Sequence, residues 1–424
     1  MKHLISLTLL LLLFSCEDEA VDTPPGVSNV TSVDYTGTEM TVQWEQSTDE
    51  DFQDYKLFYA TSEDGEQELV ATYTDISTTS HSISEFNATI ENWFFVQVTN
   101  TAGLTTMGTG MTNSLDIDLL FVACEGNFGS GDGSIEVFRG QEKIQTLNNV
   151  GDVVQSILVF EDDLFVAVNN SHTIKKYDIT ESGLSLPGIE VSTEDSSPRE
   201  MCVVDNKLYF TNWITQDIKV LDLYNYTVST FSTLSHIPED IVSDGNFLFV
   251  SAPQRNLYDG NQGSLVVKID LLDGSIVEYY EVGLGPEQLY LDGNMLYVSR
   301  TSYDENWSAS FGSSKVDISS GEIEIVTYGA GTACRADIFK RNNSIYRATS
   351  TGAVPLDAQL NLNMASQVGD LTGVYSGKVL NNQLMLGSTD YAAPDAVYLY
   401  NNLNEFMGML EVNVLPGDFQ MWSN

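Results

Sequence analysis

Leu208-Tyr209-Phe210-Thr211-Asn212, Phe247-Leu248-Phe249-Val250-Ser251 and Met295-Leu296-Tyr297-Val298-Ser299 are three variants of one phrase, and their recurrence decides the fold of this chain. Two earlier copies stand at Leu119-Leu120-Phe121-Val122-Ala123 and Leu164-Phe165-Val166-Ala167. Weaker ones follow at Ser344-Ile345-Tyr346 and Gln383-Leu384-Met385. With Phe121, Phe165, Tyr209, Phe249, Tyr297, Tyr346 and Met385 as equivalents, the steps are 44, 44, 40, 48, 49 and 39 residues. A self-similar period of this length, built on β-branched and aromatic runs, is that of a four-stranded propeller blade.

The surroundings of each phrase agree. An apolar strand precedes it, as in Pro198-Arg199-Glu200-Met201, Pro238-Glu239-Asp240-Ile241 and Pro286-Glu287-Gln288-Leu289. A tight turn then connects, at Asp205-Asn206, Asp244-Gly245-Asn246 and Asp292-Gly293-Asn294, where Asn and Gly tolerate positive φ. Third strands follow at Ile135–Phe138, Ile174–Tyr177, Ile218–Leu221 and Leu265–Lys268, and every phrase has room for four strands. The first phrase lacks an inner strand before it, and Pro416-Gly417-Asp418-Phe419-Gln420-Met421 supplies one. Pairing it with Leu119–Ala123 would close the ring and remove an open sheet edge. The expectation is all-β: a seven-bladed β-propeller over residues 115–424, after an immunoglobulin-like sandwich over residues 24–114.

Pro-Glu-x-hydrophobic followed by Leu-Tyr-Val-Ser or Leu-Tyr-Phe-Thr-Asn resembles the YVTN, or YncE-like, propeller family, well over residues 150–330 and poorly in the last two blades. The repeat specifies architecture and says little about chemistry. Among exported propellers, the chain is similar to those that capture cobalamin at the cell surface and pass it to a TonB-dependent transporter. That resemblance implies a ligand face and a transporter partner.

Before the repeat, Met40-Thr41-Val42-Gln43-Trp44, Tyr55-Lys56-Leu57-Phe58-Tyr59 and Trp93–Val98 alternate as strands behind Pro24-Pro25. A tryptophan on the second strand and an aromatic-rich late strand resemble a fibronectin type III domain. Phe94 stands where that family has its corner tyrosine, and Trp44 is read as core.

At the N-terminus, Lys2, the uncharged run Leu4–Phe14 and Leu13-Phe14-Ser15-Cys16 resemble a bacterial lipobox, with residues 1–15 as signal peptide and Cys16 as the lipidated residue. The run is shorter than the roughly 20 apolar residues a spanning helix needs. Glu17, Asp18 and Glu19, in the tether 16–23, resemble surface-export signals; a solvated tether is the other reading of the same residues. The expected location is the bacterial outer membrane, lipid-anchored and exposed at the cell surface.

Acidic residues outnumber basic ones 60 to 18, for a net charge of −42, which repels nucleic acid and anionic lipid and attracts cationic partners. Cys124, Cys202 and Cys334 have neither metal nor redox spacing and read as free thiols. The mature part holds three histidines, His81, His172 and His236, without H-E-x-x-H, G-x-S-x-G or a P-loop, so neither catalysis, cofactor nor metal is expected.

A binding face is expected instead. In propellers of this topology the loops from second to third strand share one face with the entrances to the inner strands. Here those loops carry Phe128, His172, Trp213, Arg255, Tyr258, Tyr303, Trp307 and Tyr391. The entrances add Arg199, Glu239, Glu287, Arg335 and Asp418. Loop aromatics offer apolar area with little entropy to lose, which suits a planar or sugar-like ligand. Two functions stay open: capture of a ligand for a transporter, or a protein-binding, adhesive propeller on the cell surface.

Overall fold

The computed structural model describes residues 22–35, 39–84, 86, 92–113, 118–257, 260–331, 335, 337–392 and 394–423. They divide into two compact units, split between Leu115 and Asp116. Cys16, the acidic triplet after it, Tyr258 and Cys334 lie outside the described residues. Among the described residues no helix is long and apolar enough to cross a membrane.

The first unit packs two antiparallel sheets. One orders the strands Val30–Tyr35, Met40–Trp44 and Ser80–Ile83; the other orders Glu68–Tyr73, Phe52–Ala60, Asn92–Asn100 and Thr105–Met107, with Met111–Asn113 also on Asn92–Asn100. Period-2 alternation turns Met40, Val42 and Trp44 into the core, where Trp44 meets Tyr55 edge-on at 5.9 Å. Phe94 is buried and has no hydroxyl to give; Tyr55 supplies one instead, accepting the Ser47 amide at 2.6 Å and donating to the Ile76 carbonyl at 3.2 Å. Its phenol is pushed up chiefly by burial.

The second unit is a ring of seven sheets. Blades 2 to 5 take their strands in sequence order from Val154–Phe160, Pro198–Val204, Ile241–Ser243 and Pro286–Asp292 outward, and blade 7 does so from Val374–Leu380. Blade 1 orders Pro416–Ser423, Asp118–Cys124, Gly133–Arg139 and Glu142–Gly151, so the chain's last strand is the inner strand of the first sheet. Phe419 pairs with Val122 and Met421 with Leu120. Blade 6 departs from the expected four strands. It has Ile338–Arg341, Ser344–Thr349 and Gly352–Pro355, and its outer edge is covered by a loop that meets the sheet at the bridge Ala353 to Val368 and through the Asn363 amide, which donates to the Pro355 carbonyl at 2.9 Å.

The expected turn at Asp205 and Asn206 has the positive φ it needs, and the equivalent turns at Asn342 and Asn343 and at Asn381 and Asn382 share it, all with φ between 45° and 63°. Phe121, Phe165, Tyr209, Phe249, Tyr346 and Met385 are buried between blades and Tyr297 is half-buried. Each full burial is worth about 1.5–3 kcal/mol, so one side chain per period supplies much of the adhesion between neighbouring sheets. Cys124 and Cys202 are free, and burial pushes both thiols up, which makes them inert.

A polar stitch repeats around the channel. Aspartates in or directly before an inner strand reach the inner strand of the next blade: Asp240 accepts the Leu289 amide at 2.6 Å, Asp337 that of Gly377 at 2.6 Å, and Asp418 that of Ile157 at 3.0 Å. Ser156 and Ser376 donate across the same seam to the carbonyls of Arg199 and Pro416, each at 2.6 Å. The closing strand therefore takes part in the stitch on both sides.

Candidate functional site

The inner strands start at one end of the channel, where a ring of side chains forms: Gln155, Arg199, Glu287 and Tyr375 are the second residues of their strands, and Glu239 stands two residues before Ile241. The loops between second and third strands rise around this ring. Together they enclose a cavity of about 630 Å³ to which all seven blades contribute, including Phe128, Asn169, Trp213, Gln254, Tyr303, Arg335 and Tyr391. The volume is typical of small-molecule sites.

The floor is organised by two arginines. Arg199 stacks on Trp213, its guanidinium carbon 4.1 Å from the ring centroid, and its Nε donates to Glu239 at 3.1 Å. The Trp213 indole donates to the other oxygen of Glu239 at 2.8 Å. Arg335 reaches across the channel and donates to Glu125 and Glu200, each at 2.9 Å, and to the Gln155 carbonyl at 2.9 Å. Glu287 accepts from the Thr301 hydroxyl at 2.9 Å.

Beyond Arg335 a second cavity of about 350 Å³ continues along the channel, walled by the next ring of residues, Ser156, Glu200, Asp240, Gln288, Asp337, Ser376 and Asp418. This places Asp418 one layer deeper than the entrance position expected of it. Burial raises the acids here: Glu200 to about 8 against the pull of Arg335, Asp337 to about 7 and Asp240 to about 6. Their backbone amide and cation partners belong to the stitch between blades. Among the described residues no group of metal-ligating side chains occurs.

Of the residues singled out from the sequence, Phe128, Arg199, Trp213, Glu239, Glu287, Tyr303, Arg335 and Tyr391 lie in the mouth. Three others fall outside its lining. His172, with φ 55°, accepts the Ser197 amide on Nδ1 at 3.2 Å and so ties one loop to the next. Arg255 and Trp307 sit on tips, because the ladders continue into the loops that the sequence places at residues 252–263 and 301–312, as far as Gln254–Gln262 and Tyr303–Ala309. At about 3.4 Å per residue the extra rungs carry the tips past the cavity wall. Trp307 is 70% exposed and packs on Tyr303 at 6.2 Å, while Asp304 organises the turn by accepting the amides of Asn306 and Ser308 at 2.8 Å each.

Sequence reading missed Glu125, Gln155, Gln262 and Tyr375. Aligning Val374-Tyr375-Ser376 on Pro198-Arg199-Glu200 would have found Tyr375. Gln262 grips the backbone of Tyr303 on both sides, donating to its carbonyl at 2.6 Å and accepting its amide at 2.9 Å, a contact with no local sequence signal.

Fold and mouth together define a two-unit all-β protein ending in a seven-bladed propeller with a walled cavity at one end of its channel. No family model and no curated protein sequence matches the chain. Among solved structures, apo AztD from Citrobacter koseri is similar at 12% identity, with a TM-score of 0.47 over 72% of this chain and 98% of that one. The computationally designed Ika8 protein gives 11% and 0.45 over 74% and 98%. The dihydro-heme d1 dehydrogenase NirN in complex with DHE gives 14% and 0.43 over 69% and 73%. Overlap at this level carries nothing about ligand or chemistry.

Proposed function

We propose that this chain is a binding protein that captures a partly planar ligand, cobalamin or a similar large nutrient, at the propeller mouth and delivers it to a TonB-dependent transporter in the outer membrane. The observation that carries the reading is a cavity at the mouth to which all seven blades contribute, with aromatic walls over a polar, hydrogen-bonded floor. A walled pocket with few oriented polar groups is the usual form of a small-molecule site. The resemblance of the repeat to YncE-like surface propellers supports cobalamin as the first ligand to try.

Tyr303 is the cleanest test, because it lines the cavity at 42% exposure and holds no part of the arginine floor. Tyr303→Ala should weaken binding of cobalamin, a related tetrapyrrole or a glycan by about 2 kcal/mol, roughly thirtyfold, with melting unchanged. Calorimetry and thermal melting in parallel measure both. Absence of binding by the intact protein to all three classes and to small aromatic cations would instead favour a protein-binding, adhesive propeller. That alternative draws on the rim aromatics, with Phe128 76% and Tyr391 63% exposed.

The anchoring half of the proposal rests on Leu13-Phe14-Ser15-Cys16. Cys16→Ser should move the protein from the membrane to the soluble fraction, since the acyl chains supply the membrane affinity. Retention in membranes after a high-salt wash would defeat it.

A further inference from the structure

The mouth contains three carboxylates and two guanidiniums, and the pairing among them is uneven. Glu239 is held by Arg199 and Trp213, and Glu125 by Arg335. Glu287 has only the neutral Thr301 hydroxyl, on one of its two oxygens, and no ion pair among the described residues. A cation whose field reaches it, Arg347, is wholly buried and donates to the backbone carbonyls of Asp337 and Ala348. One negative charge on the cavity wall is thus left without a contacting counter-charge.

An aromatic of the cavity wall shares a strand with the residue that holds Glu287. Thr301, which holds Glu287, and Tyr303 belong to the same strand, and Gln262 fixes Tyr303 in place. Trp213 in the same wall already accepts a guanidinium on its face. Ring faces attract cations by about 0.5–2 kcal/mol, more when water is excluded. The field of a chain with net charge −42 concentrates cations at any cleft on its surface, whereas an anion would meet both that field and Glu287.

We propose that the mouth selects a ligand bearing a positive charge beside a planar or aromatic group, an organic ammonium or guanidinium, with Glu287 as the counter-charge and Tyr303 as the facing ring. The inference rests on the mouth being the binding site and adds the class of ligand it takes. Burial raises Glu287 to about 7, with Glu239 and Asp337 adding to the effect and Thr301 and Arg347 opposing it. Only its ionised form attracts a cation, so affinity declines as pH falls below 7.

The test uses the full chain in 150 mM salt at pH 8, with three probes of one shape class: benzyltrimethylammonium, benzyl alcohol and benzenesulfonate. Benzyltrimethylammonium should bind at least about tenfold more tightly than the other two. It should lose about tenfold in Glu287→Gln, which keeps an acceptor for Thr301, and about tenfold in the unaltered protein between pH 8 and pH 6. Glu411→Gln, on the exposed outer strand of blade 7, removes the same formal charge and should leave binding unchanged, separating the site from the general field. Equal binding of the neutral or anionic probe, or equal binding by Glu287→Gln, overturns the ligand class and leaves the mouth as a binding site. No binding of benzyltrimethylammonium while a Tyr303-dependent ligand binds also overturns it. If no ligand of any kind binds, the function proposed for the mouth falls with it.

Discussion

A chain ending at Leu415 is expected to lose the cooperative melting of its propeller while the sandwich of residues 22–113 still unfolds as a unit. The missing strand Pro416–Ser423 is the inner strand of blade 1, and without it Asp118–Cys124 becomes an open edge on the channel. Phe419 leaves a core in which it packs with Leu120, Val122, Phe138 and Met385, and the Trp422 indole leaves its 3.0 Å bond to Asp162. Loss of either aromatic alone corresponds to about 3–5 kcal/mol, and the stitch from Asp418 to Ile157 and Lys378 goes as well. Against a domain stability of about 5–15 kcal/mol, the ring should not hold. Calorimetry of the truncated chain checks this: one surviving transition, with aggregation, is the expected trace. A truncated chain that melts in two transitions at the original temperatures would remove the terminal strand from the account of closure.

Arg335→Met is the point change with the largest expected effect. The guanidinium bridges Glu125 and Glu200 and lines both cavities, with Asp418 near enough to raise its affinity for the proton further. Its removal leaves carboxylates facing one another in a narrow channel, which costs about 3–5 kcal/mol and about 10 °C in melting temperature near neutral pH. The effect should depend on pH in a definite direction. Glu200, Asp337, Glu287 and Asp240 all have folded values above their ordinary ones, at about 8, 7, 7 and 6. A carboxyl raised by folding binds its proton more tightly in the folded state. Its stabilising contribution is therefore complete below the ordinary carboxylate range and is lost as pH rises through the folded value. The unaltered propeller should melt higher at pH 5 than at pH 9, and Arg335→Met should approach it at pH 5 and fall furthest behind at pH 9. A deficit independent of pH would mean that Arg335 acts by packing alone.

Much of this was legible before any coordinates. The period between Phe121 and Met385 yielded seven sheets because each repeat alone buries too little and must stack on its neighbours. The Asp-Asn and Asn-Asn turns could be placed because their residues tolerate positive φ, a local property. Blade 6 was the exception. Its second and third strands match the pattern, yet the stretch after Pro355 runs as a loop with two isolated bridges, Leu356 to Leu362 and Val368 to Ala353, because nothing local forces the outer strand of a sheet to pair.

The candidate site divides along the same line. That loop aromatics and inner-strand charges from different repeats would share one face follows from the period alone, and Phe128, Trp213, Tyr303 and Tyr391 do line one cavity. Which of them stand on its wall and which pass beyond it was settled by how far each hairpin ladder continues, as Trp307 and Arg255 show. The pairing of charges was settled only in three dimensions. Arg335 meets Glu125 and Glu200 across 210 and 135 residues of chain, and Glu287 is left with a hydroxyl. Repeat spacing and turn chemistry are short-range and can be read along the chain, but ion pairing across a ring depends on distances of a few ångströms between blades distant in sequence, and those exist only once the ring has closed.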